Sequence, residues 1–505
     1  MVYQYCKGNM KAVSSIQYKF TMKQHYILFC SLLFASLPVL AKAQNGYLDV
    51  PFATNLFDGI ASPVNAVALQ SDGKIVIGGQ FTNIQGTSAH GIARLQPDGT
   101  VDDSFDAGAG TNQFIHDIAV LADGRILIGG EFTLFQGVGH RGLACVFPDG
   151  SPDPDFNEQT MMPAPGQCYA ITPQTDGRIL LGGDITSYNG TLVNNIVRIM
   201  PDGQLDPSFS CTTNGDVLAI AVQSDGKILL GGDFTFCDGV ARRRLARVNA
   251  DGSLDGSFDI GDGFTTTLLQ YYIVKTITVQ PDGRILVGGR FTGFDGEGHG
   301  GLIRLDANGA NDPSFDVGLG CYGRSQRVGK FIPMPNDDLF VIGDYSGINT
   351  NYVLDDCTML DPNGSNVPFG NPDYHFLSGL IDDAVLQPDG KLIVVGEFNF
   401  FDDLNGLVMY NIVRFLTDFS THVEQSSARQ VVIAPNPTSG SFRLTGLPGS
   451  NYTVEVRSAD GRVVRVLQTV PERPVDIQDL SAGSYLITAR DRDGGFVASG
   501  RLLKE

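Results

Sequence analysis

The sequence predicts an all-β protein: a seven-bladed β-propeller closed by an N-terminal strand, followed by a small Ig-like β-sandwich. Three observations predict it. A hairpin signature built on an Asp-containing turn recurs seven times, at intervals of 49–57 residues. Each recurrence is followed by a second hairpin, which gives every unit four strands. The last unit lacks its tail, and the missing piece stands ahead of the first unit. A ring that closes by pairing its own N-terminus with its last sheet needs that offset, whereas a solenoid would carry atypical caps instead.

Composition agrees. The 505 residues include 62 Gly and no Trp, as expected of short strands joined by many turns. The formal charge of −20 and a pI near 4.6 exclude nucleic acid and anionic membrane surfaces as partners, because both need a basic face. They suit a soluble extracellular protein, or one that meets cations.

Residues 1–43 lie outside the fold, with 1–21 an upstream extension. Met22 to His25 form a short polar region with a Lys, residues 26–40 are apolar, and Ala41-Lys42-Ala43 is an A-x-A cleavage site. Residues 22–43 are therefore expected to be a secretory signal peptide cut at Ala41 and Ala43, leaving no transmembrane segment. Cys6 and Cys30 leave with it. Of the six that remain, Cys211–Cys237 and Cys321–Cys357 are the favoured pairs because each falls within one repeat, and buried free thiols are the equal alternative.

The propeller is expected over 44–416. Its first head is Ala66 to Phe81, AVALQSDGKIVIGGQF: a strand, a turn, a second strand, Gly-Gly, a variable residue and Phe. The turn Asp returns at Asp72, Asp123, Asp176, Asp225, Asp282, Asp337 and Asp389, and in six copies Gly and then Lys or Arg follow. Asp-Gly suits a tight hairpin because Gly supplies φ > 0 without steric cost. The tail reads TVDDSF to Phe105 and recurs to Phe156, Phe209, Phe258 and Phe315, with a worn copy ending at Phe369. Gly46 to Phe52 carries the same Asp and Phe and supplies the seventh tail. These units resemble the delta-sixty repeat family across about residues 46–416, a likeness that implies a bacterial β-propeller and no settled activity.

Residues 417–430 read as a polar linker, and 431–505 as short alternating strands. Pro435-Asn436-Pro437, Gly440, Asp460-Gly461, Leu480, Gly483, Tyr485 and the terminal Arg501 to Lys504 resemble the type A sorting domain of the type IX secretion system. The resemblance implies Sec export, then outer-membrane passage by the type IX machinery, and a secreted or outer-surface location.

The candidate sites begin with the residue after Gly-Gly, which is polar in every unit. Five of these residues, Glu131, Asp184, Asp233, Asp344 and Glu397, are acidic and form a candidate cation ring, with calcium the cation such oxygens favour. Repetition in every unit favours a blade-packing role instead, and no cofactor is expected. His90, His140 and His299 share a loop position, but propeller geometry holds such loops apart. No G-x-S-x-G, H-E-x-x-H or P-loop is present. The least repeated loops are 157–167 and 259–272, and Leu268, Leu269, Tyr271 and Tyr272 in the second suit ligand contact. The expected function is a binding or adhesion scaffold for an extracellular protein or glycan. The alternatives are a polysaccharide hydrolase or lyase using paired carboxylates, and a scaffold without a ligand.

Overall fold

The computed structural model describes residues 46–56, 60–158, 166–266, 273–348, 356–370, 374–402 and 407–417. In the C-terminal region it describes 432–434, 438, 440–445, 452–458, 463–469, 473–490 and 496–504. The first seven stretches form seven main antiparallel sheets, one per repeat, with five smaller two- or three-stranded ladders beside them. In the first unit Val64–Leu69 pairs with Ile75–Gly79, which pairs with Ile92–Leu95, and the same order returns in each later unit. The turn geometry is the one the residues dictate. Gly73 has φ +84°, and Asp72 accepts from Lys74 N at 3.1 Å. In the sixth unit, where Gly is lost, Asp337 takes φ +67° in its place.

The fourth strand is slighter than expected. In the first five units it is a single bridge, such as Leu95 with Val101 or Val248 with Leu254. A two-residue strand forms in the sixth unit (Asn366–Val367) and in the seventh. There the expected N-terminal strand is present: Tyr47 pairs with Leu416 and Leu48 with Phe415. The first strands of successive sheets pack against one another in turn, and that of the last sheet packs on that of the first.

Side chains hold the tails where ladder bonds do not. The central residue of the third strand is an arginine in five units: Arg94, Arg198, Arg247, Arg304 and Arg414. Each lies at most 5 % exposed. Each Nε donates to the tail aspartate eight residues on, as Arg304 does to Asp312 at 2.7 Å, except that Arg414 uses Asp49. Each guanidinium stands over the tail phenylalanine, 4.0–5.0 Å from the ring centroid. Each Nη1 donates to a turn carbonyl of the next unit: Pro148, Ala250, Ala307 and Pro362, and Pro97 for Arg414. One residue thus ties strand, tail and neighbouring unit together. A planar guanidinium suits this role because it offers several fixed donors at once.

In the C-terminal region a sheet containing Tyr452–Ser458, Val463–Thr469, Gly483–Arg490 and Phe496–Lys504 and a smaller one (Val432–Ala434, Ser441–Thr445, Val475–Asp476) enclose Phe442, Val454, Val456, Ile477, Ile487 and Leu502. Lys504, at the end of the last strand, is buried, and its Nζ donates to Leu480 O at 2.6 Å and Gln478 O at 3.4 Å. The Tyr485 hydroxyl donates to Ser481 O at 2.8 Å, and Gly440 packs closely on Gln478.

Candidate functional site: seven bulges on the inner strands

Every first strand carries a β-bulge at the same point, where its register against the second strand shifts by one residue. A bulge leaves one residue unpaired and re-aims its side chain. The seven bulged residues are Asn65, His116, Tyr169, Leu218, Lys275, Gly329 and Asp382. All seven differ, although the positions around them repeat. This is where the ring departs from its own symmetry.

The polar bulge side chains and their neighbours form several small groups. Asn65 Nδ2 donates to Asp382 Oδ2 at 3.0 Å, and Arg327 Nη2 stands 3.6 Å from Asp382 Oδ1. Lys330 pairs with Asp383, whose carboxylate also accepts from Val67 N and Ala384 N. His116 Nε2 and Glu131 Oε1 are 2.9 Å apart, and the His116 and Tyr169 rings lie 5.2 Å apart. Among the described residues, Asn65 Oδ1 is buried without a hydrogen-bond partner, and the buried Arg327 Nη2 has only its long contact with Asp382. Such groups cost stability until something polar meets them.

The titration behaviour shows how strongly these groups feel one another. Burial pushes the Asp117 carboxyl up to about 6, against hydrogen bonds from Ile171 N and Ile118 N, and Asp383 adds to the rise. Burial and Arg327 lower Lys275, whereas at Lys330 Asp383 and Asp117 together outweigh burial and raise it. Burial, Asp233 and Asp184 push Asp216 up from 3.8 to about 6. Below pH 3.8 this carboxyl is protonated in both states. Between 3.8 and 6 the unfolded chain releases the proton first, so the destabilisation develops with rising pH and is complete above 6. Asp216→Asn should therefore raise stability at pH 7.5 by about 1 kcal/mol, a value kept small because solvent screens this half-buried group. Urea melts at pH 7.5 and pH 4 check it: a gain of equal size at both values would show that the shift has another origin.

Three of the five acidic residues of the expected cation ring have hydrogen-bond partners. Glu131 pairs with His116, Asp233 accepts from Asp216 N at 2.6 Å and Asp344 accepts from Ser325 Oγ, while Glu397 is exposed and Asp184 half-buried. Among the described residues, the group of three metal-ligating side chains within 4.8 Å of one another is Cys211, Cys237 and Asp238, and it includes neither these acids nor His90, His140 or His299. Of the two readings of the six cysteines after residue 43, the structure shows the buried one, without disulfides, and Cys211 and Cys237 hold their sulfurs 3.9 Å apart. These two replace apolar contacts that other units make with Ala107–Phe135 and Ile260–Phe294, so the fold buries them as it buries those. Leu268, Leu269, Tyr271 and Tyr272 lie outside the described residues, as do Ala41, Ala43, Pro435, Asn436, Pro437, Asp460 and Gly461. No helix among the described residues is long and apolar enough to cross a membrane.

The comparisons bear on class. A family described as a domain of unknown function (DUF5122) β-propeller matches residues 70–105, 121–156, 174–209, 223–258, 280–315 and 387–418. A secretion system C-terminal sorting domain matches 432–499. The chain thus carries DUF5122 β-propeller repeats and a C-terminal secretion sorting domain. That tail marks it for the type IX secretion system, as a secreted or cell-surface protein. No curated protein matches. Among solved structures, PorZ, an essential surface component of the type IX secretion system of Porphyromonas gingivalis, is 16 % identical with a TM-score of 0.43. The match covers 89 % of this chain and 60 % of PorZ. The extracellular domain of BT3049 from B. thetaiotaomicron is 13 % identical with a TM-score of 0.39 over 88 % of this chain and 55 % of that one. A fungal alcohol oxidase is 15 % identical with a TM-score of 0.40 over 89 % and 98 %. Likenesses at these scores carry no functional information.

Proposed function

We propose that residues 44–416 form a seven-bladed propeller that binds an extracellular protein or glycan, and that the inner-strand bulges contribute the specific contacts. The signal peptide at 22–43 takes the chain through Sec, and the Ig-like domain at 431–505 hands it to the type IX machinery. The non-repeating bulge residues carry this reading: a scaffold without a ligand has no need of seven different groups at one structural position, least of all polar groups left unmatched. Asp117 does not serve the hydrolase alternative, because backbone N–H groups of Ile118 and Ile171 already occupy its carboxylate.

The test is a protein and glycan array probed with the full exported chain and with its Tyr169→Ala and Lys275→Ala variants. Binding is expected from the parent and at least tenfold weaker from one or both variants. A melting temperature unchanged between calcium and chelator accompanies a cofactor-free site. Silence across the array, or variants that bind like the parent, would sink the proposal.

A further inference from the structure

In four units a short outer strand pairs with the tail loop of the unit before it: Phe135 with Thr111, Cys237 with Thr213, Phe294 with Phe264 and Ile348 with Cys321. The inward residue of that strand is large and buried in three of them, as Phe135, Phe294 and Ile348. The first and third units have Ile84 and Tyr188 there, also buried. In the fourth unit it is Cys237. Its neighbour in the core is the residue two places after the tail phenylalanine. That residue is Ala107, Ile260 or Val317 in the other clusters and Cys211 in this one. Apolar packing accounts for the burial of both cysteines. It does not account for the loss of bulk at 237, which a second small side chain at 211 does not restore.

A third ligating group stands beside the two sulfurs. The Asp238 carboxylate lies within 4.8 Å of each of them. Asp238 is exposed, so the group borders solvent. Its Oδ1 accepts from Thr212 N at 2.9 Å and from Thr212 Oγ1 at 3.1 Å. Both bonds fall on one oxygen and leave the other its lone pairs. Carboxylates that ligate metals are commonly oriented by such a neighbour. Asp295 is held in the same way, by Asp262 N at 2.9 Å, but Phe294 and Ile260 beside it offer no ligand atom. The turn carboxylate thus belongs to the fold, and the paired sulfurs are what the fourth unit adds.

We propose that Cys211, Cys237 and Asp238 bind a zinc ion between the third and fourth units. Two thiolates on one tetrahedral zinc stand about 3.8 Å apart, given a Zn–S length of about 2.3 Å. The two sulfurs here are 3.9 Å apart before any ligand draws on them. Two sulfurs with one carboxylate select zinc over calcium or magnesium, which take oxygen ligands. Zinc takes the sulfurs as thiolates, so two protons leave to solvent as it binds, and water supplies the fourth ligand. Burial of the cysteines is no bar, since structural zinc is taken up as its ligands fold together. The ion fastens the tail of the third unit to the outer strand of the fourth, where the other units rely on apolar contact. The site is independent of the inner-strand bulges.

The full exported chain, freed of metal and kept reduced, is titrated with Zn²⁺ against a chromophoric chelator. One equivalent is expected to bind with a Kd on the order of 10 nM and to release about two protons, read from the dependence of the heat on the buffer. Co²⁺ in the same place should show sulfur-to-metal charge-transfer absorption and the visible bands of tetrahedral coordination. Cys237→Val should abolish both signals. Asp238→Asn keeps an oxygen for Thr212 and should weaken zinc at least tenfold, which keeps the test open if Cys237→Val does not fold. Absence of zinc binding overturns the site, as does unchanged binding by Asp238→Asn or by a folded Cys237→Val. Peptide mapping of the chain as exported should find both thiols free, and a Cys211–Cys237 disulfide there overturns the site too. Tyr169→Ala and Lys275→Ala leave the zinc titration unaltered. The calcium comparison at the bulges is made on the zinc-free chain, so failure of one reading is separable from failure of the other.

Discussion

Arg304→Met will lower stability by about 3–5 kcal/mol, the range for breaking a buried pair and leaving one charge behind. Arg304 is 1 % exposed, and its loss strips Asp312 of its Nε partner, Phe315 of its stacked cation and Pro362 O of its donor. The informative control is the double variant Arg304→Met with Asp312→Asn, which removes both charges, as Met359 and Val367 do in the sixth unit. It should recover at least half of the loss, since no buried charge is then stranded. Chemical melts of the three proteins decide. A double variant no better than the single one would mean that packing, not the uncompensated carboxylate, dominates. Acid makes the same point from the other side. Burial pushes Asp312 up, but hydrogen bonds from Ser314 and Arg304 outweigh it and hold the carboxyl at about 2, below its ordinary 3.8. Its contribution is complete above pH 3.8 and is lost as pH falls towards 2.

Removing residues 46–56 will cost more still. That segment supplies the edge pairs Tyr47–Leu416 and Leu48–Phe415, the Asp49 carboxylate that holds Arg414 at 2.9 Å, and Phe52, fully buried with the Arg414 guanidinium 4.0 Å above its ring. Phe52→Ala alone should cost about 3–5 kcal/mol. The deletion leaves a buried arginine unpaired and a strand edge exposed, so limited proteolysis should cut within 374–416 while the second to fifth units stay protected. A synthetic peptide of residues 44–58 added in trans should restore protection. A deletion variant that melts and resists protease like the parent would show that the ring does not depend on this strand.

Much of the fold was legible because its determinants are local. Asp-Gly fixes a turn wherever it stands, and an offset of one tail can be read from order alone. The N-terminal segment was recognisable by the Asp49 and Phe52 it shares with the tails. The arginines were visible as residues, but their role depends on a carbonyl 50 or more residues away, which no single unit reveals. The candidate site was less legible for a related reason. Glu131, Asp184 and Asp233 stand out in the sequence because they repeat, and repetition reports what every blade needs. Asn65, His116, Tyr169 and Lys275 carry no motif, and their signal was variation at one fixed place inside an otherwise apolar strand. The bulge that turns them inward is a matter of pairing register, which appears only when two strands are laid together.

The closing pair of Tyr47 with Leu416 also has a consequence for how such chains change length. Covalent repeats and folded sheets are out of phase by one strand. Duplication or loss of one whole period, with breakpoints anywhere inside the array, still leaves a lone tail at one end and a tail-less head at the other. The two loose ends always complement each other. Copy number can therefore drift by unequal recombination while the latch is inherited unchanged, and a ring with one sheet more or fewer needs no new residue to shut it.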